Sequence, residues 1–89
     1  KIFTSYTEIS KFYANNRDIF DFVVDFLKKA DTGIDDIEIV EKEDPETGEK
    51  LFVPIFLFKI DGETRELSFY EQSNGVQSLY IQLGFYATV

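Results

Sequence analysis

The chain has 89 residues, 44% of them hydrophobic, and a net charge of −8 from 17 acidic and 9 basic side chains. It contains neither Cys nor His, which excludes disulfides, cysteine metal sites and any catalytic triad built on histidine. That length is one domain's worth of chain, and the acidic balance repels nucleic acid and anionic membrane surfaces.

A domain of this size buries only ~60–65% of the surface its unfolded chain exposes. Ten Phe and five Tyr supply the apolar bulk to fold it. No apolar run reaches the ~18 residues a membrane helix needs. The start Lys1-Ile2-Phe3-Thr4 has no signal-peptide pattern, and together with the lack of Cys it favours a cytoplasmic origin.

In chain order, Ser5-Tyr6-Thr7-Glu8 fits a capping box, Ser followed three positions later by Glu. Ile2, Phe3, Tyr6, Ile9 and Tyr13 recur at helical spacing and predict a short helix over 6–14. Asn15-Asn16 is a break and a cap for a second helix over 17–30. Ile19, Phe20, Val23, Leu27 and Ala30 form its apolar stripe, widened by Phe22 and Phe26. Asp18, Asp21 and Asp25 share another face, a solvated one rather than a metal site. Lys28 and Lys29 suit the dipole of the last turn, and Gly33 is placed to cap it.

Three strands follow, over 36–42, 51–60 and 64–70. The turn Asp44-Pro45-Glu46-Thr47-Gly48 joins the first two. The second strand is apolar on both faces, which predicts a central strand covered on both sides. Pro54 argues that part of it lies at an edge or bulge. Asp61-Gly62 is a hairpin signal, and Leu67 and Phe69 of the third strand should face inward. The acids Asp35, Asp36, Glu38, Glu41, Glu43 and Asp44 lack calcium-loop spacing and read as a charged edge.

A last helix starts near Asn74 or Gly75. Val76, Leu79, Tyr80, Leu83 and Tyr86 form one stripe, and Ile81, Phe85 and Val89 a second. A helix apolar nearly all round needs more cover than this chain supplies. That predicts self-association, or a piece of a larger protein. The fold class is α+β: N-terminal helices, a three-stranded antiparallel meander and a C-terminal helix, with the helices on one sheet face. It divides into a helical part (1–30), strands (36–70) and a turn with its helix (71–89).

The chemistry concentrates in Glu71-Gln72-Ser73-Asn74-Gly75-Val76-Gln77-Ser78. A Ser-x-Gly turn opening a helix presents a hydroxyl and free backbone N–H groups at a positive helix end, suited to a phosphate. The commoner meaning of such a turn is an ordinary helix cap.

Two segments, in this order and separated by a hairpin, carry a resemblance. One is Ala30-Asp31-Thr32-Gly33-Ile34 ending a helix and leading into an acidic-apolar strand. The other is Leu67-Ser68-Phe69-Tyr70-Glu71-Gln72-Ser73-Asn74-Gly75-Val76-Gln77-Ser78-Leu79. The pair resembles the signature-loop half of bacterial ABC-type P-loop ATPases of the overcoming-lysogenization-defect and abortive-infection group, relatives of the SMC-type ATPases. The resemblance covers 17–89. It implies that Ser73, Asn74, Gly75 and Gln77 close over ATP held with magnesium at the P-loop of a partner subunit. Ser73 would offer its hydroxyl, and Gly75 its N–H, to the γ-phosphate. Val76 and Ser78 stand where the family often has Thr and a basic residue. The implied partners are a second ATPase subunit or a homodimer mate, and the rest of a parent chain. The resemblance leaves open what such an ATPase cycle drives, with defence against phage, DNA repair and nuclease control as the alternatives.

No Gly-x-x-x-x-Gly-Lys-Ser/Thr and no apolar run ending in Asp-Glu occurs, so both Walker motifs are missing. The segment alone is therefore expected to be non-catalytic. The competing expectation is a small acidic protein-interaction module with no nucleotide role, using the two-sided apolar last helix.

Overall fold

The computed structural model describes residues 5–87. Ile2, Phe3 and Val89, which the sequence pattern assigns to apolar helix faces, lie outside them. Helix α1 (Tyr6–Ala14) opens at Ser5, whose hydroxyl accepts the Glu8 N–H at 3.2 Å. Helix α2 (Arg17–Lys29) follows after a two-residue break. Asn16 does not cap α2 with its side chain. Its amide nitrogen instead donates backward to the Phe12 carbonyl at 2.8 Å, tying off the end of α1.

The α2 stripe is narrower than expected. Phe20, Val23, Val24 and Leu27 are buried, while Ala30 is exposed and Phe22 and Phe26 keep 57% and 41% of their surface in water. One buried stripe of about 100° suffices for a helix lying on a single surface. The helix ends without the glycine cap expected at Gly33. Asp31 takes the left-handed position (φ 57°), and the Thr32 hydroxyl donates to the Leu27 carbonyl at 2.7 Å. Thr32 Oγ1 then accepts the Ile34 N–H at 3.2 Å, handing the chain to the first strand.

Strands β1 (Ile34–Glu43), β2 (Lys50–Ile60) and β3 (Glu63–Leu67) form an antiparallel sheet in the order β1-β2-β3. A bulge between Ile34 and Asp36 sets the register so that Ile37 faces Phe56 and Ile39 faces Pro54. The β1–β2 turn is bound up by Asp44, whose carboxylate accepts the Glu46 N–H at 2.9 Å and whose carbonyl accepts the Gly48 N–H at 2.8 Å. Asp61 and Gly62 both have positive φ (53° and 81°), the backbone of a type I′ hairpin.

β3 stops at Leu67, short of the expected end at Tyr70. Phe69–Glu71 forms a single 3-10 turn, and Phe69 reaches the core from there rather than from a strand. Ser68-x-x-Glu71 causes the change: a reciprocal capping box competes with further ladder pairing. Because β3 reaches only Phe56 of β2, Pro54 sits on a stretch of the central strand with one neighbour. The missing proline N–H therefore breaks no ladder on that side.

Helices α1 and α2 pack on the sheet face that carries Ile37, Pro54 and Phe56, and α3 (Asn74–Ala87) packs against both of them, meeting the sheet where the Tyr80 ring touches Phe56. Leu51, Val53, Ile55 and Leu57 point to the opposite face and stay half-exposed, so β2 is central but not covered on both sides. The core is Ile9, Tyr13, Phe20, Val23, Leu27, Ile34, Ile37, Phe56, Phe69 and Tyr80, with Val24 and Val76 at its margin.

Helix α3 is seated by three positions at four-residue spacing, Val76, Tyr80 and Gly84, all buried. A Cβ built on Gly84 would run into Ile9 and the Tyr13 hydroxyl, so glycine is needed for α1 and α3 to meet. Tyr86, expected on the buried stripe, is 67% exposed.

Candidate functional site

The turn over 68–77 is built from its own side chains. Glu71 accepts the Ser68 N–H at 2.9 Å. That bond, aided by the Ser68 hydroxyl, holds the Glu71 carboxyl below the usual carboxylate range. Gln72 is buried, and its amide nitrogen donates to the Ser68 carbonyl at 3.0 Å. Gln77 reaches back from the first turn of α3 and donates to the Gln72 carbonyl at 3.0 Å and the Tyr70 carbonyl at 3.5 Å. The strand exit and the helix start are thus clamped together by two glutamines.

Ser73 is the N-cap of α3. Its hydroxyl oxygen accepts the Val76 N–H at 3.2 Å, and its carbonyl accepts the Gln77 N–H at 3.0 Å. Its hydroxyl proton has no protein acceptor among the described hydrogen bonds. The Asn74 and Gly75 amides likewise donate to no group of the described chain. Ser73, Asn74 and Gly75 are all exposed. The free amides are the first donors of a 14-residue helix with no acid in its first turn, and they sit at its positive end.

Gly75 has an ordinary backbone conformation, and a Cβ there would meet only the Ser73 Oγ, at 4.0 Å. Nothing in the fold demands glycine at this position. The absence of Cβ does leave its N–H open to close approach.

Of the four residues singled out from the sequence, Ser73, Asn74 and Gly75 lie side by side on the surface. Gln77 is joined to the same turn but its amide nitrogen is spent on the clamp. The pattern reading passed over Gln72 and the Ser68–Glu71 box. The box was visible as Ser-x-x-Glu; the buried Gln72 had no local signal.

What the site can do is bind. Two amides and one hydroxyl proton without an acceptor in the described chain lie exposed at the positive end of α3, donors of the kind a phosphate oxygen takes. The described residues form no group of three or more His, Cys, Asp or Glu that could hold a metal ion. Asp18, Asp21 and Asp25 are exposed along α2, and Asp25 pairs with Lys29 at 2.9 Å. No described helix is long and apolar enough to cross a membrane. Compared with protein families, with curated proteins and with solved structures, the chain matches none.

Proposed function

We propose that this chain is the signature-loop part of a bacterial ABC-type ATPase, acting in the cytoplasm and completing the active site of a partner subunit. The observation that carries the reading is the exposed Ser73-Asn74-Gly75 turn with two unspent amides, at a position where the fold has no need of glycine. In this reading Asn74 and Gly75 N–H groups bind γ-phosphate oxygens and the Ser73 hydroxyl donates a third hydrogen bond. The dipole of α3 favours the charge. Gln77 acts on the nucleotide through the turn it braces. ATP and its magnesium are held by the partner's P-loop, so this segment alone neither holds nucleotide tightly nor hydrolyses it.

The test is ATP turnover by the full-length ATPase carrying Ser73→Ala or Gly75→Asp. Both positions are exposed, so the variants fold. Loss of turnover with unchanged protein level supports the reading, and wild-type turnover refutes it.

A second reading, an acidic protein-interaction module with no nucleotide role, is favoured by the exposed rings of Phe22, Phe26 and Tyr86. Under it, Gly75→Asp is silent and substitution of these rings abolishes partner binding.

A further inference from the structure

Strand β1 is an edge of the sheet along its whole length, since its one neighbour is β2. Among the described residues no strand lies on its other side, and of its amides the Ile37 N–H donates to the Asp36 carboxylate at 2.8 Å. Beside this edge runs a groove of about 580 Å³ between β1 and α2. Its open walls are mostly polar, and at its base the buried Phe20, Val24 and Ile37 leave Ile39 as the partly exposed apolar side chain. That volume is within the ~300–1,000 Å³ range of ligand-binding clefts.

The charge around the groove selects what can enter. Asp21 and Asp25 stand on the helix wall, Asp25 paired with Lys29, and Asp36 and Glu38 project from β1 on the face away from α2, all exposed. Glu41 and Glu43 continue the acidic line along β1. Three cations lie near: Lys28 and Arg17, which close the two ends, and Lys42 within the strand. Arg17 is partly engaged over the Phe20 ring at 4.9 Å. A second copy of the chain pairing β1 with β1 would set acid against acid, which the charge disfavours. A strand of opposite charge meets no such penalty.

We propose that the β1 edge and the adjoining groove bind an extended peptide segment of alternating basic and apolar residues by strand addition. Main-chain hydrogen bonds to β1 hold it, its basic side chains meet Asp36 and Glu38 on the sheet face away from α2, and its apolar side chains lie toward α2 over Ile39 and the edge of Val24. This surface involves none of Ser73, Asn74 or Gly75 and stands or falls independently of the nucleotide reading.

The test uses the 89-residue chain and a fluorescent Lys-Val-Lys-Val-Lys-Val peptide, followed by anisotropy and by amide shifts in NMR spectra. Expected are saturable binding weakened by salt, shifts concentrated in 34–43 and 20–24, and slowed amide exchange along β1. Asp36→Lys with Glu38→Lys should weaken binding tenfold or more. Both sites are exposed, so the variant keeps its fold. A peptide N-methylated at alternate residues separates strand addition from mere charge attraction. Equal binding by that peptide, or by a Glu-Val peptide, overturns the proposal. So does a pattern of shifts that leaves β1 untouched.

Discussion

The Tyr13 hydroxyl donates to the backbone carbonyl of Tyr80, and the two rings meet edge to face at 5.1 Å. Each residue is fully buried, one on α1 and one on α3. Ser10 completes the contact. Its hydroxyl donates to the Tyr6 carbonyl at 2.6 Å, so at the 2.7 Å contact with Tyr80 it is the tyrosine that gives the proton. The described buried polar side chains leave no atom without a partner. A polar seam of this kind stabilises only while it is complete.

Removing one hydroxyl opens it. Tyr80→Phe keeps the ring and loses the bond to Ser10, at a cost of about 1 kcal/mol. For a domain of this size that is a fall of ~4–8 °C in melting temperature. Tyr80→Ala also leaves a cavity among Phe56, Phe69 and Tyr13, and costs ~3–5 kcal/mol. Thermal melts followed by circular dichroism separate the two.

The same tyrosines predict an alkaline limit. Burial pushes the phenols of Tyr13 and Tyr80 far above their ordinary range. The unfolded chain ionises them near pH ~10, while the folded chain keeps them neutral. The unfolded state therefore loses protons that the native state retains, and stability falls as pH rises above that value. Below it the contribution is complete. Urea midpoints measured from neutral to strongly alkaline pH should decline above the tyrosine range. The decline should be shallower in a Tyr13→Phe, Tyr80→Phe double variant.

Gly84 and Gly75 lie in one helix and should respond oppositely to alanine. By helix propensity alone each change gains up to ~1 kcal/mol. At Gly84 the new methyl meets Ile9 and the Tyr13 hydroxyl, and overpacking of ~1–3 kcal/mol outweighs the gain. At Gly75 the methyl meets only the Ser73 Oγ, at an unstrained 4.0 Å, so stability is held or slightly raised. Denaturant midpoints of the two variants check the sign of each.

Gly62 tests backbone strain without packing. A Cβ there touches nothing within 4 Å, yet φ is 81°. Gly62→Ala should cost ~1–2 kcal/mol, all of it conformational. Gly62→Asn, which tolerates that backbone, should recover most of it in the same melt.

Ser73→Ala should lower stability by ~1 kcal/mol through loss of the cap to Val76, while Ser73→Asp keeps an acceptor and the cap. In the ATPase reading both lose turnover, because neither has a hydroxyl proton to donate and Asp adds repulsion. Pairing melts with turnover distinguishes the structural role of Ser73 from its proposed chemical one.

Local chemistry made much of this fold legible. The Ser5 cap, the unbroken apolar run over Leu51–Ile60 and Asp61-Gly62 each act within a few residues, and each led to the right element. Failures came where two local rules competed. Phe69 fits a strand pattern, but Ser68 and Glu71 bond to each other's backbone and end the strand. Asn16 fits an N-cap, yet its side chain serves the preceding helix. The apolar faces of α2 and α3 were overcounted, because periodicity shows which residues share a side and not how wide the neighbouring surface is. The exposed turn at Ser73–Gly75 was readable, as its signal is a short run of residue types. The glutamine clamp was not, since Gln72 and Gln77 gain meaning only when strand exit and helix start are brought together.

Anchoring α3 so deep at Tyr80 and Gly84 has a consequence for its far tip. The helix rises 1.5 Å per residue, so Ser73 stands ~10 Å from the Tyr80 pivot. A swing of about 10° there would carry the tip by almost 2 Å, more than a hydrogen bond tolerates. The interior tyrosines thus act as the bearing of a pointer, and the aim of its outermost amides is governed from inside the protein.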